Sequence, residues 1–182
     1  MEFPPKEVVL KDKTPCVLRS SLKEDAEKLI NYLKRISAET EFLQRGKDDP
    51  VLPLAEEEKY IEESLVSPYK CHINAFIGGE LAGTCNVMMS GRKKIAHRAQ
   101  VGIAVLQKHW GKGIGSALFC EIIALAGQKG LRQIELSYME GNARGKALYE
   151  KMGFRQTGRV PNAFCLSDGS FRDEISMIKE LY

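Results

Sequence analysis

Residues 106–118, LQKHWGKGIGSAL, constrain this chain more than any other stretch. An apolar, strand-like run ends in a compact glycine loop, and an amphipathic helix starts straight out of it. Gly111, Gly113 and Gly115 alternate with Lys112 and Ile114. At every second position, therefore, no β-carbon holds the backbone away from a ligand. The first amides of the helix have no intrahelical partner and lie at the positive end of its dipole. Together these features make a seat for phosphate.

The spacing decides which phosphate ligands do not fit. No Lys-Ser/Thr pair follows the glycines, so this is not the loop of a nucleoside-triphosphate site. A dinucleotide fingerprint needs GxGxxG and an acidic residue about 20 residues on, at the tip of the next strand. Here the spacing is GxGxG, and the one acid near that distance, Glu135, falls inside the predicted next strand. A tight turn with no ligand explains a glycine triplet equally well in isolation, so the rest of the chain has to decide.

A length of 182 residues suits one domain spanning 1–182 with a real core. Its 43% hydrophobic and 28% charged residues are ordinary for a soluble globular protein. A net charge of +3, with no dense Lys/Arg run, argues against nucleic acid as a partner. Cys16, Cys71, Cys85, Cys120 and Cys165 are odd in number, scattered and without a CxxC, and read as reduced core residues. No metal site is expected, since His72, His97 and His109 stand at no ligand spacing to them. The charged start, MEFPPKEVVLKDK, and the lack of a membrane-length apolar run point to the cytoplasm and to no membrane partner.

Periodicity predicts a first hairpin, Val8–Leu10 and Cys16–Leu18, around Asp12-Lys13-Thr14. Ser20 or Ser21 should cap a helix over Lys23–Ile36, and a second helix covers Ala55–Leu65. Strands His72–Ile77 and Leu81–Met89 flank Gly78-Gly79, a strong hairpin signal, and Ala96–Leu106 forms a longer strand. The helix after the glycine loop ends at Gly130, with Leu131 placed to pack back on its last turn. Gln133–Tyr138 alternates as a strand, Asn142 caps a short helix reaching Met152, and Phe154–Val160 and Phe171–Lys179 close as strands. The fold class is α/β (α+β): an antiparallel meander running into a strand–helix–strand unit and a terminal hairpin.

A second signal lies downstream in Asn142-Ala143-Arg144-Gly145-Lys146-Ala147-Leu148-Tyr149, followed by Glu150-Lys151-Met152-Gly153-Phe154. Asn142 and Tyr149 are two helical turns apart and share one face. The pairing of both signals resembles the GNAT superfamily of N-acetyltransferases. AHRAQVGIAVLQKHWGKGIGSAL is similar to that family's acetyl-coenzyme A motif, and NARGKALYEKMGF to its second cofactor-side motif. The ending SDGSFRDEISMIKEL is similar to a bacterial subgroup. The resemblance covers Ala96 to Lys179, while residues 1–70 share only the order of elements. One departure stands out: the loop usually opens on Gln or Arg, where this chain has Trp110.

The resemblance implies a mixed, mostly antiparallel sheet flanked by helices, with the long strand parting from Gln133–Tyr138 near Ile103, Ala104 and Val105. The pantetheine arm of acetyl-CoA would lie in that gap, with the Val105 amide on the thioester carbonyl. Amides from Trp110, Gly111, Lys112, Gly113, Ile114, Gly115 and Ser116 would wrap the pyrophosphate. Asn142 would bond the arm near the sulfur. Tyr149, protonated at neutral pH, would donate to the leaving thiolate. Residues 1–70 would supply the acceptor side and 71–182 the cofactor core. The implied activity is direct transfer of acetyl to a primary amine of a small molecule or protein, and many relatives are homodimers. The long strand, His97-Arg98-Ala99-Gln100-Val101, carries no carboxylate that could act as base. Glu135, His97, Ser137 through water, Glu39 and Glu41 remain open for that role. Glu39, Glu41, Asp48 and Asp49 fall in the segment expected to line the acceptor side. No cysteine has the paired His of a nucleophile, which favours a ternary complex over an acetyl-enzyme. The alternative is a non-catalytic acyl-CoA-binding module of the same fold.

Overall fold

Lys13 takes a φ of 66° and the Thr14 N–H bonds the Asp12 carboxylate at 3.1 Å, folding β1 (Lys6–Val9) back on β2 (Pro15–Arg19). The structure, a computed structural model, describes residues 1–181. It continues with α1 (Ala26–Glu39), α2 (Leu54–Val66), β3 (Lys70–Ile77), β4 (Glu80–Met89) and β5 (Arg98–Val105). Then come α3 (Ile114–Gln128), β6 (Gln133–Met139), α4 (Ala143–Lys151), β7 (Arg155–Cys165) and β8 (Phe171–Glu180). The eight strands form one sheet in the order β1-β2-β3-β4-β5-β6-β8-β7. Among the described residues only β5 and β6 run parallel. This is the expected mixed, mostly antiparallel α/β class.

The alternation of β-strand side chains assigns the two faces. Leu118, Phe119 and Ile122 of α3 pack with Ile73, Val87, Val101, Ile134 and the α4 residue Tyr149 on one face. On the other, Tyr32 and Ile36 of α1 pack with Phe76, Leu81 and Leu106. Past β5 that second face is open, and Gln100, Glu135, Ser137, Glu174 and Ser176 line a cleft there. No described helix is long and apolar enough to cross a membrane. Cys16, Cys71 and Cys85 are core residues, but Cys120 and Cys165 are exposed, contrary to the sequence reading.

The serines before α1 do not cap it. Ser20 Oγ donates to the His72 carbonyl at 2.8 Å, and Ser21 Oγ accepts from Asn74 Nδ2 at 2.7 Å, fastening the chain to β3. A 3-10 turn, Lys23–Asp25, leads into the helix instead, with Asp25 accepting the Leu22 N–H at 3.0 Å. Burial opposes charge on Asp25, but hydrogen bonds from Arg19, the Leu22 N–H and Lys28 prevail and hold its carboxyl at about 2. A carboxyl lowered on folding stabilises the native state above its unfolded pKa of about 3.9 and loses that contribution as pH falls toward 2. Urea melts stepped from about pH 5 to about pH 2 should show about 2 kcal/mol lost through this group. Asp25→Asn should be less stable at neutral pH and should lack that component of the acid dependence.

Candidate active site

β5 and β6 pair only from Arg98–Gln133 to Gln100–Glu135. Beyond Gln100, β5 stays with β4 and β6 stays with β8, so the two strands part into a wedge. Bonded residues alternate along an antiparallel ladder. Leu106 donates to the Ala82 carbonyl at 3.0 Å, which sets the phase. Ala104 and Gly102 therefore face β4, while Val101, Ile103 and Val105 turn N–H and C=O into the wedge. Two contacts agree with that phase: Gly102 N–H bonds Asn86 Oδ1 at 2.9 Å, and Trp110 Nε1 donates to the Val105 carbonyl at 2.6 Å. The Val105 N–H is left without a strand partner, and the parting begins slightly earlier than the Ile103–Val105 reading expected.

The wedge opens into a cleft of about 1280 Å³. Ile103, Ala104, Val105, Trp110, Gly111, Gly113, Ile114, Gly115, Ser116, Asn142 and Tyr149 all line it. Lys112 does not. Its Nζ pairs with the Asp12 carboxylate at 3.2 Å, and its carbonyl accepts the Lys11 N–H at 3.0 Å. The side chain of Lys11, by contrast, lines the cleft and packs over Gly113. No side chain caps α3, whose N-cap is Gly113 at φ 97°. A Cβ on Gly115 would stand 2.8 Å from Leu148, so that glycine lets α4 lie close against α3.

Two more cations border this helix start. The Arg144 guanidinium stacks 4.5 Å above the Trp110 ring, and Lys151 Nζ reaches Ser116 Oγ at 3.3 Å. Trp110 thus does more than tolerate the loss of a polar residue. Its N–H pins the end of β5 and its ring holds Arg144 beside the loop. His109 is buried in the same wall with both ring nitrogens unpartnered among the described residues. Desolvation lowers its pKa, so it is a neutral imidazole at neutral pH.

Asn142 caps α4, its Oδ1 accepting the Gly145 N–H at 2.9 Å, and its Nδ2 keeps donors for a partner in the cleft. Tyr149 sits among Phe119, Tyr138 and Phe154, with ring centroids 5.9, 5.6 and 6.4 Å away. Burial raises its hydroxyl to about 12, above the ordinary tyrosine value of about 10. It therefore keeps its proton across the physiological range.

The segment after α1 contributes Thr40, Phe42, Leu43, Gln44 and Arg45 to the cleft wall, but none of the acids expected there. Glu39 accepts the Gln107 N–H at 2.7 Å and pairs with Arg35 at 2.9 Å. Asp49 accepts the Gly46 N–H at 2.8 Å, and Glu41 is exposed away from the cleft. Of the other candidate bases, His97 lies outside the cleft and Glu135 is paired with Arg98 at 3.1 Å. Ser137 is in the cleft and donates to Glu174 at 2.7 Å, a carboxylate that sequence reasoning missed.

The chain matches the model of the Acetyltransferase (GNAT) family over residues 27–154, and it belongs to that family. It is similar to a solved acetyltransferase of the GNAT family from Streptococcus pneumoniae at 28% identity and TM-score 0.85, covering 92% of this chain and 99% of the other. A ribosomal-protein-alanine N-acetyltransferase from Brucella melitensis shares the fold at 19% identity and TM-score 0.77, covering 90% and 99%. So does a phosphinothricin acetyltransferase from Sinorhizobium meliloti, solved with acetyl-CoA, at 18% identity and TM-score 0.78, covering 96% and 89%. Comparison with curated proteins gives no match. Acetyl-CoA is the cofactor of this family. The residues here fit it: unpaired backbone in the wedge, uncapped amides at α3, and Lys11, Arg144 and Lys151 around them.

Proposed function

We propose that the chain transfers acetyl from acetyl-CoA to the primary amine of a small molecule or protein, by direct attack within a ternary complex. The observation that carries this reading is the β5–β6 wedge, with the Val105 N–H turned into it and Tyr149 lining the same cleft. Acetyl-CoA supplies an acyl group already activated as a thioester. The amides from Gly111 to Ser116, with Lys11 and Arg144, hold its phosphates. The Val105 N–H, fixed by the β4 ladder and the Trp110 indole, favours negative charge on a carbonyl oxygen beside it.

Asn142 orients the thiol end through Nδ2. Tyr149 holds a proton at Oη for the departing sulfur. With Oη raised to about 12, it acts first as a hydrogen-bond donor and gives up its proton only as negative charge arrives on the sulfur. Residues 1–70 form the acceptor wall and 71–182 the cofactor core, with Lys11 reaching across from the β1–β2 turn.

Thiol release with acetyl-CoA and a panel of amines tests the reading. The panel comprises a diamine, free amino acids, an amine-bearing antibiotic and a peptide with a free N-terminus. Release above background hydrolysis with one class is expected. Tight acetyl-CoA binding without release from any member would instead make the chain a silent acyl-CoA-binding module.

A further inference from the structure

We infer that Glu174, together with Ser137, seats the acceptor's ammonium group and takes its proton; this rests on the acetyltransferase reading above. β6 and β8 pair antiparallel with Ser137 opposite Ser176 and Met139 opposite Glu174, which makes Ser137 and Glu174 diagonal neighbours. Ser137 Oγ donates to Glu174 Oε1 at 2.7 Å, and both residues line the cleft. Their place along the sheet is decisive. Glu135 stands opposite Gln100, where β5 and β6 are still joined, whereas Ser137 and Glu174 lie further on, where the strands have parted.

The face matters equally. Leu136 and Tyr138 point into the core under α3 and α4, where Tyr149 sits. Ser137 and Glu174 therefore point to the opposite, open face. Proton donor and proton acceptor flank the wedge from its two sides.

Charge separates Glu174 from its neighbours. Glu135 is neutralised by Arg98 at 3.1 Å. Asp173 and Glu140 share Arg159, the latter at 3.0 Å. Among the described residues Glu174 has no cationic partner, and its one side-chain hydrogen bond is the Ser137 hydroxyl. Glu174 Oε2 and the lone pairs of Ser137 Oγ remain as acceptors, and an ammonium offers three donors and no acceptor.

The proton balance closes. One N–H⁺ proton passes to the Glu174 carboxylate, leaving a neutral amine and a carboxylic acid that later returns the proton to solvent. The freed nitrogen lone pair forms the C–N bond at the acyl carbon. The C–S bond breaks with its electron pair on sulfur. Tyr149 protonates that sulfur and is reprotonated by the second proton lost from nitrogen.

Hydroxylamine provides the test, because near neutral pH it is already a free base and needs no proton acceptor. Glu174→Gln, which keeps the Ser137 hydrogen bond, should bind acetyl-CoA as wild type does by calorimetry. Its kcat/KM for the best protonated amine of the panel should fall about 100-fold or more. Its kcat/KM for hydroxylamine should stay within about threefold of wild type, and Glu174→Asp should recover part of the amine activity. Equal losses for both nucleophiles, or no loss for either, overturn the assignment. So does a wild-type enzyme that accepts hydroxylamine but none of the ammonium probes. Failure of wild type to bind acetyl-CoA overturns the acetyltransferase reading itself, and this assignment with it.

Discussion

Tyr149→Phe should lower kcat about 100- to 1,000-fold while leaving the Kd for acetyl-CoA within about threefold. The ring is held by Phe119, Tyr138 and Phe154 through edge-on and tilted contacts that phenylalanine reproduces, so fold and cofactor seat should survive. What is lost is a proton held at Oη beside the wedge. Because the hydroxyl is raised to about 12, wild-type kcat should not fall through Tyr149 ionisation between about pH 7 and about pH 10. Stopped-assay thiol release across that range, with matched calorimetry, checks both statements. An unchanged kcat in Tyr149→Phe would remove the residue from the chemistry.

Gly113→Val should damage cofactor binding more than stability. Gly113 holds a φ of 97° at the N-cap of α3, where a β-branched residue is strained by about 1–3 kcal/mol. Its new side chain would also meet Lys11, whose Cγ lies 3.3 Å from the ideal Cβ position. The loop escapes the strain by rotating its amides away from the direction that the helix start requires. A rearrangement costing about 2 kcal/mol weakens acetyl-CoA binding about 30-fold. Gly127→Ala is the control: it lies on α3 with no heavy atom within 4 Å of a new Cβ. It should bind normally and unfold at slightly higher denaturant, since Gly inside a helix costs about 0.5–1 kcal/mol relative to Ala.

The parts of the fold that could be read from the chain are those governed by local chemistry. Gly78-Gly79 demands a tight hairpin, and it turns β3 into β4 with φ of 57° and 81°. Gly130 ends α3 at φ 69° with Leu131 bonding back to Ala126, and Asn142 caps α4, because caps are set by neighbours a turn away. The glycine loop belongs to the same class. What escaped were pairings between elements remote in sequence. Ser20 and Ser21 have the right chemistry for a cap, but β3 offers them better-buried partners.

The Lys112 side chain pairs with Asp12 on the first hairpin, while Lys11, remote in sequence from the loop, lines the cleft. Glu39 looks like a free acid in the sequence, but the Gln107 N–H and Arg35 hold it. The Ser137–Glu174 contact exists only because β8 inserts between β6 and β7, an order that periodicity does not encode. The stacking of Arg144 on Trp110 is hidden for the same reason, since it depends on where α4 crosses the loop.

Amide hydrogen exchange on residues 101–118, with and without acetyl-CoA, tests the central claim most directly. The N–H groups of Ile103, Val105, Gly115 and Ser116 should become strongly protected on binding. Leu106, already bonded to Ala82, should change little. Saturating acetyl-CoA that leaves the wedge and helix-start amides exchanging as before, or protects a different set, would contradict the account.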